Sequence, residues 1–476
     1  MAERPPLRHL TSINDLTNAE IERLFERADR YLADLGDPAI PHRIGTSTAT
    51  AHGRILASLF YEPSTRTRLS FESAMIRLGG QNISSADPAT SSVAKGETLA
   101  DTVRVASNYA DVIVLRHPRD GAARLAAEYA SVPIVNGGDG AHEHPTQTLC
   151  DLFTLRRENK QLRNLNVAVS GDLRGSRTIH SFVYALARFG ANIMLMPAKG
   201  MGLPAHVTAR LEEEFGARAV AREKYAKANA SVDALYVTPD KPHQLSLSVG
   251  VEPDVDVKLR KEIDVVYVTR FQKERWAEAS ADYPKIDAKF LKQRKYSATS
   301  VLHPLPRVGE LDVSLDGDRR AVYFRQAAFG VPVRMALIDL LLDPEHGLAR
   351  YDGGFAEAPR PLYAQAIGIR CANPNCITHD PLERHYVGNK FWALPSAGAA
   401  QRLRCVYCEA DTEAAIVANG RRREFAALAP GAPAATTPTT VFFASAADAL
   451  AAGFTERAPA QKRARTGSRT KVAHSP

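Results

Sequence analysis

Tryptophan and cysteine are scarce in this chain, two and five among 476 residues, and the cysteines are unevenly spread. Cys150 stands alone, while Cys371, Cys376, Cys405 and Cys408 crowd into one short segment. That distribution argues against a disulfide framework of the secreted kind and suits a local metal site in a reducing compartment. Long apolar runs are missing too: none reaches the roughly 18 residues needed to span a bilayer. The opening MAERPPLRHL has no apolar segment of the signal-peptide kind. A cytoplasmic location is the expectation, with no membrane partner. Acid is short of base, for a formal charge of +8. Part of the excess sits in Lys462, Arg463, Arg465, Arg469 and Lys471, with no acid among them. Such a tail is a solvated appendage more often than a specific nucleic-acid site.

What is present is an ordinary globular composition, 45% hydrophobic and 24% charged, long enough for two or three domains of about 150 residues. A capping-box pattern at Thr17-Asn-Ala-Glu20 starts a helix whose Ile21, Leu24, Phe25, Ala28 and Leu32 share one face. Short apolar runs then alternate with helical stretches. Ile55 to Phe60 precedes Leu69 to Leu78, Val112 to Leu115 precedes Ala122 to Tyr129, and Pro133 to Val135 precedes a segment from Thr146. A second series begins with NVAVSGD near Asn166, continues through a helix from Thr178 and the strand NIMLM, and reaches Val265 to Val268 and Ser300 to Leu302. This rhythm predicts an α/β fold of two tandem parallel-sheet domains. A long helix from Arg325 to Leu342 packs back on the first. The expected boundaries are 1–150 and 151–345 for the two domains, then a linker over 346–370. A small four-cysteine domain over 371–415 and a low-complexity basic tail over 416–476, expected to be disordered, follow. Within that tail VFFASAADALAAGF reads as a short strand and helix. Residues 240–262 are Pro-rich and charged, an insertion of unread role.

The stretch FYEPSTRTRLSFESAMIRLGG at 60–80 ends a strand and begins a helix, placing Ser64, Thr65, Arg66, Thr67 and Arg68 at a helix N-terminus. Free amides and the helix dipole favour a phosphate there. On its own the stretch reads equally as a well-capped helix with two surface arginines. At the other end of the chain, Cys371-Ala-Asn-Pro-Asn-Cys376 and Cys405-Val-Tyr-Cys408 form two close pairs able to complete a tetrahedral four-thiolate site. Structural zinc is the expected occupant. A redox pair or a nucleic-acid-binding ribbon ranks behind it, since a dense basic and aromatic face is missing.

The run Ser-Thr-Arg-Thr-Arg, with HPTQTLCDLFTL at 144–155 and VLHPLPR at 301–307, resembles the hallmarks of the aspartate and ornithine carbamoyltransferases. The resemblance covers roughly residues 5–345. It implies that Ser64, Thr65, Arg66 and Thr67 hold the phosphate of carbamoyl phosphate, and that Arg116 reaches both phosphate and carbamoyl oxygen. His144 then polarises the carbonyl. Gln147 and the carbonyls of Pro304 and Leu305 bind the carbamoyl NH2. On this basis Arg66, Thr67, Lys95, Arg116 and His144 are the catalytic set, acting by positioning and fixed positive charge without a catalytic cofactor. The segment at 85–102 resembles a loop that enters a neighbouring subunit, so Ser91 and Lys95 would serve the partner's phosphate in a homotrimer with shared active sites. Arg177, Arg270 and Gln272, with Lys95, match positions that bind L-aspartate. The ornithine enzymes carry a Cys in the third motif and a Ser-Met-Gly loop, both missing here, so the ornithine reaction is the runner-up. A catalytically silent scaffold for a partner such as dihydroorotase is the alternative from another class.

The cysteine segment, with its Cys-x-Asn-x-x-Cys and Cys-x-Tyr-Cys pattern, resembles the zinc domain of the separate aspartate carbamoyltransferase regulatory chain, here fused to the catalytic chain. Too few residues separate Asp343 from Cys371 for a nucleotide-binding effector domain. The expectation is a zinc domain that braces assembly, with feedback by nucleotides through the usual effector site absent.

Overall fold

The computed structural model describes residues 9–35, 49–85, 92–158, 160–197, 200–213, 219–221, 233–238, 262–270, 286–343, 363–367, 369–394, 400–428, 437 and 439–457. It divides into two compact units. One comprises residues 1–360 with 371–388 and 405–411, and the other 361–370, 389–404 and 412–476.

The first unit opens with α1 (Asn18–Leu35), capped as the sequence predicts: Thr17 N–H donates to Glu20 Oε2 at 2.7 Å and Glu20 N–H to Thr17 Oγ1 at 3.2 Å. There follow β1 (Ile55–Phe60), α2 (Thr65–Arg77), β2 (Gln81–Ser85), α3 (Leu99–Ala106), β3 (Val112–His117), α4 (Ala122–Tyr129), β4 (Ile134–Asp139) and α5 (Pro145–Arg157). The four strands pair in the order β2-β1-β3-β4, all parallel. Helices cover both faces, so β1, β3 and β4 are nearly continuous buried runs, not alternating ones.

The second series is β5 (Asn166–Gly171), α6 (Arg177–Arg188), β6 (Asn192–Pro197), α7 (Ala205–Glu213), β7 (Ala219–Ala221), β8 (Ala234–Thr238), β9 (Val265–Val268), a turn of helix α8 (Ala288–Leu291), β10 (Ser300–Leu302) and α9 (Tyr323–Leu342). Its sheet runs β10-β9-β8-β5-β6-β7, again parallel. Helix α9 packs against α1, α2 and α5, and Asp339 within it accepts hydrogen bonds from Arg27 and from Tyr31 OH. Two tandem parallel-sheet domains closed by a returning helix are what the sequence predicts. The boundary expected at 150 falls inside α5, which runs on to Arg157.

The strand orders reverse between β1 and β3 in one sheet and between β5 and β8 in the other. Ligands of open parallel sheets bind beyond the strand carboxyl ends at such switch points. Phe60 and Arg116 end or nearly end their strands at the first, and Gly171 at the second.

The second unit carries most of an eight-stranded sheet in the order β14-β13-β12-β11-β17-β15-β16-β18. The strands are β11 (Tyr363–Ile367), β12 (Lys390–Ala393), β13 (Gln401–Cys405), β14 (Asp411–Ala414), β15 (Ile416–Asn419), β16 (Glu424–Ala427), β17 (Thr440–Phe443) and β18 (Thr455–Glu456), with α10 (Ala446–Ala451) before the last. This corrects two expectations. The stretch taken as a linker to 370 contains β11, and the stretch taken as tail from 416 is folded in strands and helix through its described residues to 457. The short strand and helix read in VFFASAADALAAGF are there, as β17 and α10. Ile416, Ala418, Phe425, Val441, Phe443, Ala449 and Phe454 bury a small core of their own, which is why an Ala/Pro/Thr-rich stretch folds. The cysteine segment is also not one body: both cysteine pairs belong to the first unit, and the strands between them to the second. The basic residues from Lys462 to Lys471 and the insertion over 240–261 lie outside the described residues.

Candidate active site

A cavity of ≈ 1010 Å³ opens at the two switch points. Three helix N-termini face it, those of α2, α5 and α6, with N-cap residues Ser64, His144 and Ser176, and in none does the cap side chain accept from a backbone N–H of its helix. Helices ordinarily satisfy their first N–H groups with such a side chain. Left unsatisfied together, they form a ready anion site.

Among the described residues five arginines line the cavity, Arg66, Arg116, Arg177, Arg270 and Arg334, against a single carboxylate, Glu62. Glu62 lies between strand β1 and helix α2 and grips both switch points. Its Oε1 accepts from Arg116 at 2.7 Å and from Arg177 at 2.6 Å, and its Oε2 from Arg177 at 3.0 Å. Burial alone would raise the carboxyl, but the Arg177 and Arg116 guanidiniums outweigh it and hold it at about 2. Arg116 is buried, and burial together with repulsion from Arg177 lowers it to about 10 despite Glu62. The backbone adds to the grip: Arg177 also donates to Gly140 O at 2.8 Å, and Arg116 to Gly137 O at 3.2 Å.

His144 is buried and lies 3.5 Å through Nε2 from Arg116 NH1. Burial, then Arg116, Arg177 and Arg334, press its pKa well below the usual imidazole value, so the ring is neutral. Thr146 Oγ1 lies 3.4 Å from Nδ1. A proton on Nε2, facing the cavity, requires that hydroxyl to donate and the Arg116 contact at Nε2 to open as a ligand arrives.

Ser64, Thr65, Arg66, Thr67, Arg116, His144, Gln147, Arg177, Arg270, Pro304 and Leu305 thus all line one cavity, although the sequence spreads them over about 240 residues. Arg66 is exposed at its mouth. Lys95 sits exposed in a tight helical turn (Ser92–Lys95) and does not line the cavity of its own chain. Ser91 and Gln272 lie outside the described residues. Sequence reasoning gave no role to Glu62, to Arg334, or to Asp151 and Gln326. Glu62 was within reach, since it sits inside the quoted 60–80 motif. Arg334 is buried in α9 over the Phe71 ring, donating to Ser70 Oγ at 3.0 Å.

The four segment cysteines are buried, with Sγ atoms within 4.8 Å of one another. Cys371 to Cys408 is 3.4 Å and Cys376 to Cys405 is 3.8 Å. Such spacing is far beyond a disulfide and close to the roughly 3.8 Å edge of a tetrahedron with metal–sulfur bonds of about 2.3 Å. The thiols therefore fit a tetrahedral ion. The first pair clamps Asp120, just past β3. Asn373 Nδ2 and Asn375 Nδ2 donate to its carboxylate at 2.7 and 2.8 Å, and Ile377 N–H to its carbonyl at 2.9 Å. The same carboxylate accepts from Ala141 N–H at 2.8 Å, in the loop that leads to His144. Gly140 is required there: its φ is +49°, and a Cβ would lie 1.8 Å from Asp120 Oδ1. The second pair is followed by Glu409, buried and paired with both Arg124 and Arg210.

Residues 8–157 match the family described as aspartate/ornithine carbamoyltransferase, carbamoyl-P binding domain, and residues 243–341 its Asp/Orn binding domain. The chain belongs to this family. Residues 365–418 match the aspartate carbamoyltransferase regulatory chain, metal binding domain, so catalytic domains and a regulatory-chain metal module share one polypeptide. An aspartate carbamoyltransferase catalytic subunit from Picrophilus torridus is 43% identical over 337 residues, 70% of this chain and 97% of that one. One from Methanocaldococcus jannaschii is 41% identical over 345 residues, 72% of this chain and 100% of that one. Among solved structures, the M. jannaschii catalytic subunit superposes with TM-score 0.56 at 39% identity, covering 72% of this chain and all of that one. A Trypanosoma cruzi aspartate transcarbamoylase in complex with aspartate and phosphate gives 0.56 at 33%, covering 72% and 96%. No helix among the described residues is long and apolar enough to cross a membrane.

Proposed function

We propose that this chain transfers the carbamoyl group of carbamoyl phosphate to the α-amino group of L-aspartate, giving N-carbamoyl-L-aspartate and phosphate for de novo pyrimidine (UMP) synthesis. The observation that carries the reading is the charge of the cavity. Five arginines less one carboxylate leave four positive charges, matching a doubly charged phosphate and two carboxylates. An ornithine side chain would bring a further cation among those arginines.

Ser64, Thr65, Arg66 and Thr67 hold the phosphate at the α2 N-terminus, and Arg116 spans phosphate and carbamoyl oxygen. His144, neutral, donates from Nε2 to the carbonyl. Gln147 and the Pro304 and Leu305 carbonyls take the carbamoyl NH2. Arg177 and Arg270, with Gln272, grip the aspartate carboxylates as guanidinium forks do. The unprotonated amine attacks the carbonyl carbon, and negative charge develops on the carbonyl oxygen beside Arg116 and His144. Collapse of the tetrahedral intermediate breaks the C–O bond to phosphate, which leaves with the amine proton. A T. cruzi relative solved with carbamoyl phosphate and aspartate supports this pairing of substrates.

Arginines gripped by Glu62 must be released as the anions arrive, so Glu62 is the residue substrate displaces. Ser91 and Lys95 complete a neighbouring subunit's site in a homotrimer. Exposed Leu69, Ile76 and Ile83 on α2 and β2 offer an apolar face for that neighbour. The metal is zinc, held by Cys371, Cys376, Cys405 and Cys408, and when bound it cross-links the two cysteine pairs structurally. The location is cytoplasmic, and dihydroorotase is the partner to seek by co-purification. Carbamoyl transfer to L-aspartate and L-ornithine, assayed in parallel on zinc-replete protein, tests the reading: turnover with aspartate alone supports it. Turnover with ornithine alone overturns the assignment of Arg177 and Arg270, and no turnover with either revives the scaffold.

A further inference from the structure

Asp151 lies one helical turn after Gln147 on α5, wholly buried, behind the cavity wall and without a role in the chemistry above. Its Oδ1 accepts from Gln147 Nε2 at 2.8 Å and from Gln326 Nε2 at 2.7 Å. Its Oδ2 accepts from Tyr267 OH at 2.9 Å. Whether ionised or carrying a proton on Oδ2, Asp151 keeps Oδ1 as an acceptor, so both amides must turn their NH2 groups toward it. Each amide oxygen then faces the other way. The oxygen of Gln326 accepts from His303 N–H at 2.9 Å, at the head of the turn that presents the Pro304 and Leu305 carbonyls. The oxygen of Gln147, itself a cavity residue, is left for a ligand donor.

We propose that Asp151 is a positioning residue for the carbamoyl NH2 group: by orienting the Gln147 and Gln326 amides it makes that corner of the cavity a cluster of acceptors. The inference rests on the carbamoyl phosphate reading of the site. It gives the corner a selectivity. A group with two N–H donors is favoured over a methyl group of the same size, because a methyl leaves buried oxygens unpaired. Carbamoyl phosphate and acetyl phosphate differ in that one substituent.

The test is the ratio of kcat/KM for carbamoyl phosphate to that for acetyl phosphate, with saturating aspartate, in full-length zinc-replete protein. Asp151→Leu keeps the branched shape and removes both acceptors, freeing Gln147 to turn. The ratio is expected to fall about tenfold, the worth of one well-placed hydrogen bond. KM for carbamoyl phosphate should rise while KM for aspartate holds. Asp151→Asn should keep most of the ratio, since its amide oxygen can still accept from both glutamines while Tyr267 OH turns to accept. In a Gln147→Leu background, Asp151→Leu should cost the ratio less than about twofold more, because most of its effect runs through Gln147 and only the Gln326 arm remains. Should Asp151→Leu fail to fold, Gln326→Leu breaks the other arm and should lower the same ratio. The proposal is overturned if both phosphates lose rate equally, or if the losses of Gln147→Leu and Asp151→Leu simply multiply. A wild type inactive with carbamoyl phosphate would instead refute the reading of the site itself.

Discussion

Arg116→Met separates a binding-site arginine from a structural ion pair, because the two roles predict opposite signs for stability. Methionine keeps much of the stem and removes the guanidinium. Burial and the neighbouring Arg177 lower Arg116 to about 10, well below the ordinary guanidinium value, even with Glu62 bonded to it. At 1.36 kcal/mol per unit, the folded protein therefore holds this charge at a cost of roughly 3 kcal/mol. Set against that are the hydrogen bond from Arg116 to Gly137 O, which the variant loses at about 1 kcal/mol, and a Glu62 that keeps Arg177. The substrate-free variant should be more stable by about 1–2 kcal/mol, a rise of several degrees in Tm. Transfer should fall by roughly 10²–10³-fold, as when one fixed donor to a developing oxyanion is removed. Phosphate at a hundred times its Kd should stabilise the wild type by about 2.7 kcal/mol and the variant by much less. Differential scanning calorimetry with and without phosphate, beside steady-state transfer, reads all three. A lowered Tm with transfer retained within tenfold would show Arg116 to be a domain salt bridge and refute the charge argument for the cavity.

Three further outcomes are expected. Metal removal by a chelator should lower Tm and turnover together, because Asn373 and Asn375 hold Asp120 and Asp120 holds the Ala141 N–H in the loop to His144; turnover unchanged in fully demetallated protein would deny that link. Arg124→Ala removes one of the two guanidiniums paired with the buried Glu409 and should destabilise by about 2–4 kcal/mol, read by denaturant unfolding. Asp151 is raised by burial to about 7, so the folded protein keeps a proton that the unfolded chain releases. Its contribution to stability is present below the usual carboxylate pKa and is lost as pH rises through about 7. The Tm difference between wild type and Asp151→Asn should shift against the wild type over that window, and a difference flat with pH would contradict it.

Much of the cavity was legible because its residues come in local runs. Ser64 to Thr67 begin a helix, His144 and Gln147 begin another, and Pro304 and Leu305 share a turn, so one short motif places each group. What stayed hidden is pairing over distance. Glu62 is plain in the first motif, but its grip on Arg116 and Arg177 depends on two sheets meeting at their switch points. Asp151 is plain one turn beyond Gln147, but its other donors come from Tyr267 and Gln326, more than a hundred residues away. The folded stretch after 416 was misread for a different reason. Its strands are four residues or shorter, too brief for a period to show, and alanine and threonine dilute the apolar signal of Ile416, Phe425 and Phe443.

The joining of the metal module to the catalytic domains changes how its contact with Asp120 is maintained. Besides the two amides and the Ile377 N–H, the module meets the catalytic domains through Arg119–Asp380, through Arg124 and Arg210 on Glu409, and through hydrogen bonds of Tyr129, Tyr386 and Tyr407, each worth about 1 kcal/mol or somewhat more where charged. Between free partners, lost translational and rotational freedom would offset part of that gain. Within one chain the encounter is intramolecular, at an effective concentration on the order of millimolar, so these contacts stay made at any dilution. The support that Asp120 gives to the loop before His144 then depends on the metal and on the two asparagines, and not on the amount of a second protein.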